Sequence, residues 1–387
     1  MQEPPFIVGK PATGEYFVNR EKELQRLLTL ARGVEKGGSS NSILIGLRRT
    51  GKTSILQNLI VNLEPNRRII PLMISCYGMT SKSRFARLVV DQALANYVNK
   101  TDDNAYKTRI LNLLSQGAKA AKGVLSEVRF SEFSLKIRDS KTDEDDLIEN
   151  SLDFVESLAE EKNSYFVIIL DEFQDLIKWG NDSLKRMRTV IQNQKRTCYI
   201  LSGSATTIMH DLVYESRSPF YRQLVDVPVG KLPNEVVRNF VKERFRSAQV
   251  KIGDEELNKI VTYCDGYPDY VQRLGLELYL SAGPSGSITE SIVDQAYENI
   301  VLALDGEFEN YFATFSPLDK ELLIAIASGK IRASEIAREV RKPLANISKN
   351  LTILLNYGVV ERPLEGQYRM TDPVFNDWLH RRYSPLE

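Results

Sequence analysis

Residues 46–53 read Gly46-Leu47-Arg48-Arg49-Thr50-Gly51-Lys52-Thr53, a full match to G-x-x-x-x-G-K-S/T. They lie between an apolar run, Ser42-Ile43-Leu44-Ile45, and a helical pattern that opens Ser54-Ile55-Leu56-Gln57-Asn58-Leu59-Ile60. Strand, glycine-bearing turn and helix in that order make a phosphate cradle. Glycines let the backbone curl so that successive N–H groups point inward, and the helix aims its partial positive end at the same place. Gly46, Arg48, Arg49, Thr50, Gly51, Lys52, Thr53 and Ser54 then surround a polyphosphate, with Lys52 reaching the β- and γ-phosphates and Thr53 holding Mg²⁺.

At 387 residues the chain exceeds the size at which one hydrophobic core keeps growing, so two or three domains are expected. Lys+Arg and Asp+Glu are equal at 51 each, which excludes a global field pulling the molecule onto nucleic acid or acidic lipid. Any polyanion contact must be local. No run approaches the roughly 18 apolar residues of a membrane span, and Met1-Gln2-Glu3-Pro4-Pro5 lacks a charged-then-apolar leader. The expectation is a cytoplasmic protein without membrane contact. Cys76, Cys198 and Cys264 are far apart, and His210 and His380 are the only histidines, a composition that argues against a disulfide framework, a zinc site or a histidine-based catalytic centre.

Apolar segments rich in branched and aromatic residues recur between helical patterns at 42–45, 69–75, 165–170 and 198–202. This alternation predicts an α/β fold, a parallel sheet with helices on both faces. Phe17-Val18-Asn19-Arg20-Glu21-Lys22-Glu23-Leu24 reads as an entry turn with Asn19 as cap, opening a helix through Leu30. Thr80–Ala159 carries two or three helices, an alternating piece at Phe133–Ile137, and an acidic run at Asp143–Asp146 whose carboxylates suit a helix start. After Val229 the pattern is helical alone, with Gly266-Tyr267-Pro268 interrupting it. From Pro317, three helices end in Leu344–Asn356, followed by a hairpin around Leu364-Glu365-Gly366 and a last helix carrying Trp378. That order is the pattern of a winged helix-turn-helix. The expected division is a P-loop α/β domain at 1–230, a helical lid at 231–312 and a winged helix at 313–387.

Tyr165-Phe166-Val167-Ile168-Ile169-Leu170-Asp171-Glu172 is an apolar strand ending in two acids, the Walker B pattern. Such a strand delivers its C-terminal end to the crevice where ligands bind. Asp171 binds Mg²⁺ in this reading and Glu172 polarises the attacking water, with Lys52 as the third catalytic group. Cys198–Ser204 is a further strand running into small polar residues, of which Ser202 or Ser204 orients the water or touches the γ-phosphate. Arg217 and Arg222 flank Ser218-Pro219-Phe220-Tyr221, and one of them can approach the γ-phosphate in cis or across a subunit boundary.

This order of motifs resembles the archaeal ATPase family, placed among the STAND signalling NTPases and related to the AAA+ origin-recognition initiators. The resemblance spans the chain: the Phe17–Leu24 box, the Gly46–Thr53 loop, Leu170-Asp171-Glu172-Phe173-Gln174, Ser202-Gly203-Ser204, Ser218-Pro219-Phe220-Tyr221-Arg222, Gly266-Tyr267-Pro268 and Tyr368-Arg369-Met370-Thr371-Asp372-Pro373. It implies ATP as the nucleotide, Arg20 and Glu21 near the adenine, Pro268 on the base or ribose, and Arg222 facing the γ-phosphate. Members usually have Gly where Asn19 stands and a Tyr-Gly-Arg step where this chain has Tyr221-Arg222. No lid arginine of the AAA+ type is evident beyond Arg273 as a candidate.

For the tail, the helix holding Asn346, Ser348, Lys349 and Asn350 suits a major groove, with Arg362 and Arg369 on the wing touching phosphates. Residues 316–387 hold eleven basic and nine acidic side chains, far from a basic stripe. A protein-docking or autoinhibitory module is the competing reading. The sequence therefore predicts a slow, Mg²⁺-dependent ATPase acting as a conformational switch, with self-association or a protein partner as the expected output. The alternatives are an initiator-like DNA-binding protein with ATP as a structural ligand, and a mobile-element or defence-associated ATPase with a nuclease partner.

Overall fold

The structure, a computed structural model, describes residues 4–38, 40–103, 105, 106, 108, 143–204, 207–283 and 286–383. The alternating piece expected at Phe133–Ile137 lies outside them. Five strands, β1 (Ser42–Gly46), β2 (Ile69–Ser75), β3 (Tyr165–Asp171), β4 (Thr197–Ser204) and β5 (Val225–Val229), form one parallel sheet in the order β2-β3-β4-β1-β5. The four expected strands are present and β5 is new. Pro228 and Asp226 interrupt its apolar pattern, and a proline is tolerated because β5 is an edge strand pairing only with β1.

Near-continuous apolar runs are what a sheet covered on both faces requires. In β3, Phe166, Ile168 and Leu170 pack with the helices Lys82–Thr101 and Glu144–Glu161, whereas Val167 and Ile169 pack with the helices Glu21–Gly33 and Lys52–Leu63. Asp143 caps Glu144–Glu161 by accepting from the Asp145 N–H at 3.0 Å, and the acidic run also gathers Arg186, which pairs with Asp143, Asp146 and Glu149. The first helix differs from expectation. It runs Glu21–Gly33, Arg20 occupies the cap position without a side-chain cap, and Asn19 is left-handed at φ 53°. Arg20 is engaged elsewhere, as described below.

Beyond β5 come the helices Asn234–Ser247, Asp254–Cys264, Pro268–Ala282, Glu290–Ala303 and Asp305–Ala313. Then follow Pro317–Ala327, Ala333–Glu339, Leu344–Asn356, the antiparallel pair β6 (Val360–Glu361) and β7 (Arg369–Met370), and Pro373–Tyr383. One apolar core runs through all of these from Leu232 to Leu379. Among the described residues no helix is long and apolar enough to cross a membrane.

The N-terminal segment, given no structure by sequence, is a strap. Phe6 inserts into the helical core at 2% exposure, Ile7 N–H donates to Gln272 Oε1 at 2.9 Å, and Gln272 Nε2 donates to Tyr16 O at 3.1 Å. Further on, Ala12 N–H donates to Ser54 Oγ and Asn58 Nδ2 to Ala12 O, both at 2.9 Å. Gly275 makes room for the strap: a Cβ there would lie 2.4 Å from the Phe6 ring. Gly275→Ala is therefore expected to destabilise the protein by about 1–3 kcal/mol in chemical denaturation, although alanine is the better helix former. Faster proteolysis between Pro4 and Gly14 should accompany the loss.

Candidate functional site

The loop between β1 and the helix Lys52–Leu63 is drawn tight by its glycines. A Cβ on Gly46 would sit 2.3 Å from the Val229 carbonyl oxygen, and Gly51 is left-handed at φ 89°. Arg49 is left-handed too, at φ 66°. Left-handed residues within such a loop turn backbone N–H groups toward a common point, the arrangement that binds anions. Lys52 is 5% exposed, and its ammonium donates to Gly46 O at 3.0 Å and Leu47 O at 2.9 Å. Burial pulls its pKa below the usual lysine range, while the Glu172 and Asp171 carboxylates oppose that shift.

The acids arrive from β3. Thr53 Oγ1 donates to Asp171 Oδ2 at 2.8 Å, which brings a hydroxyl and a carboxylate oxygen together at the mouth of the loop. These are hard donors. Glu172 is left-handed at φ 55°, where the chain turns from β3 into the 3₁₀ helix Phe173–Trp179, and its carboxylate accepts from Gln174 Nε2. A cavity of about 360 Å³ opens in front of the loop, lined by Lys52, Thr53, Ser54 and Glu172 at one end. Its other walls are the strap and the helix Pro268–Ala282. The volume is in the range of about 300–1,000 Å³ found for small-molecule and cofactor sites.

Pro268 lines this cavity and so does Arg20, but the Arg20 guanidinium is occupied. At 5% exposure it donates to Thr50 O at 3.1 Å and Gly230 O at 2.5 Å, and it pairs with Glu23. It braces the phosphate loop against the end of β5. Arg48 and Arg49 also turn from the cradle: Arg48 pairs with Glu307 at 2.9 Å, and Arg49 pairs with Asp269 at 2.6 Å and Glu307 at 2.7 Å. The Arg49 guanidinium lies 5.1 Å over the Tyr270 ring and 5.7 Å over Phe308. Burial disfavours its charge, but Tyr270, Asp269, Glu307 and Asp372 outweigh this and hold its pKa above the usual range. Tyr270 in turn donates its hydroxyl to Asp372, at 2.6 and 2.8 Å to the two oxygens, and Asp372 accepts from the Val374 and Phe375 N–H groups at 3.0 Å, capping Pro373–Tyr383.

Several expected residues stand elsewhere. Arg222 is exposed, sits over its own neighbour Tyr221 at 5.1 Å, and is not part of the cavity wall. Phe220, anchored in the core against Phe173 at 5.8 Å, turns the following residues outward. Arg217 is exposed as well. Ser202 is fully buried within the sheet, and Ser204 ends β4 in register with Gly46 without lining the cavity. Arg273 does line it, held to Asp269 at 2.8 Å. Sequence reasoning missed Asp269, Glu307 and Gln174. Asp269 stands beside the Gly266-Tyr267-Pro268 motif and Gln174 closes the Leu170–Gln174 motif without a role of its own there, whereas nothing local marks Glu307.

The sequence profile of a family described as an ATPase domain predominantly from Archaea matches residues 17–274. The chain belongs to that family. This ATPase is similar over 96% of its length to the Walker-type ATPase of Pyrococcus abyssi, with 99% of that chain covered, 20% identity and a TM-score of 0.71. The Aeropyrum pernix ORC2 protein, solved as ADPNP-ADP complexes, aligns over 95% of this chain and 96% of its own at 12% identity and a TM-score of 0.59. The Aeropyrum pernix ORC1 protein in complex with DNA aligns over 95% and 94% at 14% identity and a TM-score of 0.52. At these identities the likeness is one of fold. No curated protein matches the chain. The ATPase binds ATP, and Arg20→Leu is expected to weaken that binding about tenfold, or about 1.4 kcal/mol by isothermal calorimetry, because the Thr50 carbonyl loses its brace.

Proposed function

We propose that the chain is a Mg²⁺-dependent ATPase working as a conformational switch, in three parts: a nucleotide domain at 1–230, a helical lid at 231–312 and a winged helix at 313–387. The observation that carries the switch is the chain of contacts from Arg49 in the phosphate loop through Asp269, Glu307 and Tyr270 to Asp372, the cap of the last helix. A triphosphate in the cradle offers Arg49 and Arg48 a second set of anionic acceptors. Nucleotide and lid carboxylates then compete for the same guanidinium groups, so occupancy biases how the lid and the tail are held.

The catalytic roles follow from placement. Lys52 exchanges the Gly46 and Leu47 carbonyls for phosphate oxygens, a stronger set of acceptors for a buried ammonium. Thr53 and Asp171 fit Mg²⁺, since the ion takes oxygen donors and keeps few protein ligands. When bound, the ion neutralises phosphate charge. Glu172 accepts a proton from water as the water oxygen bonds to the γ-phosphorus, and the bond from that phosphorus to the β,γ-bridging oxygen breaks to leave ADP. Glu172→Gln is expected to lower kcat about 10²- to 10⁴-fold in a phosphate-release assay while ATP still binds. Turnover at the wild-type rate would overturn the assignment. Asp171→Asn is expected to remove the Mg²⁺-dependent part of ATP affinity, leaving calorimetric titrations with magnesium and with EDTA alike. Arg49→Met should speed amide exchange in Pro373–Tyr383 and make that exchange insensitive to ATP; protection equal to wild type in both states would sink the switch.

A DNA-binding reading has support in the helix Leu344–Asn356, which exposes Asn346, Ser348, Lys349 and Thr352 beside exposed Arg338, Arg341 and Lys342. Against it, Asn350 is committed to Asp319 at 2.7 Å, Arg362 to the Tyr368 hydroxyl at 2.6 Å, and Arg369 to Glu361 at 2.9 Å. Measuring mass with and without a non-hydrolysable ATP analogue and duplex DNA, at stated salt, separates the two readings. A nucleotide-dependent change favours the switch, and tight DNA binding by an unchanged monomer favours the DNA reading.

A further inference from the structure

Glu172 carries its carboxylate on a backbone turn that side-chain-bearing residues seldom adopt. That turn folds the chain at once into Phe173–Trp179 and sets Gln174 alongside, so that its Nε2 donates to Glu172 Oε2. The opposite amide orientation would set two oxygens against each other, which fixes the assignment. The other end of the same amide is confined. Gln174 Oε1 is buried and has no hydrogen-bond partner among the described residues. It lies against Gly203 of β4, where an added Cβ would be 2.7 Å from Oε1 and 2.7 Å from Met209 Cε. Glycine between Ser202 and Ser204 thus makes space for the glutamine rather than serving the phosphate itself. Leaving an amide oxygen buried and unpaired is unfavourable. The compensating feature is a rigid donor held against the carboxylate that faces the cavity.

From this geometry we infer that Gln174 is a positioning residue for hydrolysis: it holds the Glu172 carboxylate in the orientation from which it receives the proton of the attacking water. Gln174 touches no substrate. It limits the rotamers of Glu172 by tethering one oxygen and leaves the other directed at the cavity. The inference rests on Glu172 being the general base. Its signature is a loss in kcat with nucleotide affinity unchanged, because misplacing a catalytic group by about 1 Å can cost on the order of 10²-fold in rate.

The test is a cycle of four full-length proteins: wild type, Gln174→Leu, Glu172→Gln and the double variant, compared by single-turnover ATP hydrolysis with magnesium and by calorimetric ATP affinity. Gln174→Leu is expected to slow hydrolysis roughly ten- to a hundredfold while the Kd for ATP stays within twofold. In the Glu172→Gln background the same substitution is expected to change the rate less than twofold, since groups that act as a unit are not additive. A normal rate for Gln174→Leu, or an equal penalty in both backgrounds, overturns the inference. Should Gln174→Leu fail to fold, Gly203→Ala presses on Oε1 without altering the glutamine; it should reproduce the kcat loss at unchanged Kd, and normal hydrolysis by that variant overturns the inference equally. If Glu172→Gln itself hydrolyses ATP normally, the general-base reading fails. If it is inactive and Gln174→Leu is normal, only the role of Gln174 falls.

Discussion

The hydrogen bond from Thr53 to Asp171 joins positions 118 residues apart and fixes the centre of the molecule. It exists because β1 and β3 both run toward the same edge of a parallel sheet, with β4 between them, so that the phosphate loop and the paired acids emerge side by side. Parallel pairing needs crossovers, and the crossovers are the helices that bury both faces. Every other part of the site is arranged around this junction: Lys52 one residue before the hydroxyl, Glu172 one residue after the carboxylate.

Much of that centre was legible. Isoleucine- and leucine-rich runs marked β1 to β4, and the glycines with Lys52 and Thr53 marked the loop, because these signals are local. β5 was not legible, since Asp226 and Pro228 sit in the middle of it and only its edge position makes them acceptable. The partners of Arg20 were also out of reach: the residue stood in a motif, but Gly230 is 210 positions away and accepts through its backbone, which carries no sequence signature. Arg222 shows the converse. Its Ser218-Pro219-Phe220-Tyr221 context suggests a catalytic role, yet Phe220 is buried against Phe173 and Arg222 lies exposed over its neighbour Tyr221. Gln174 was visible as a letter, but its role depends on a left-handed turn at Glu172 that sequence does not announce.

Arginine does two kinds of work around the cavity. Arg20 is tied to backbone carbonyls and fixes the loop in place, an arrangement suited to its planar fork. Arg49 is tied to carboxylates and aromatic rings of the helical half, so its partners belong to a body other than its own strand and loop. The first arrangement stiffens, whereas the second connects.

The helices after β5 share one continuous core, and among the described residues two covalent crossings join that half to the sheet: the strap carrying Ile7 and Tyr16, and the step from Val229 to Leu232. The strap and Leu232 line the cavity in front of the phosphate loop, and Gly230 within the second crossing takes the Arg20 guanidinium. Connection and cavity are thus one location, so any rotation of the helical half about these crossings would reshape the cavity walls without needing a relay of its own.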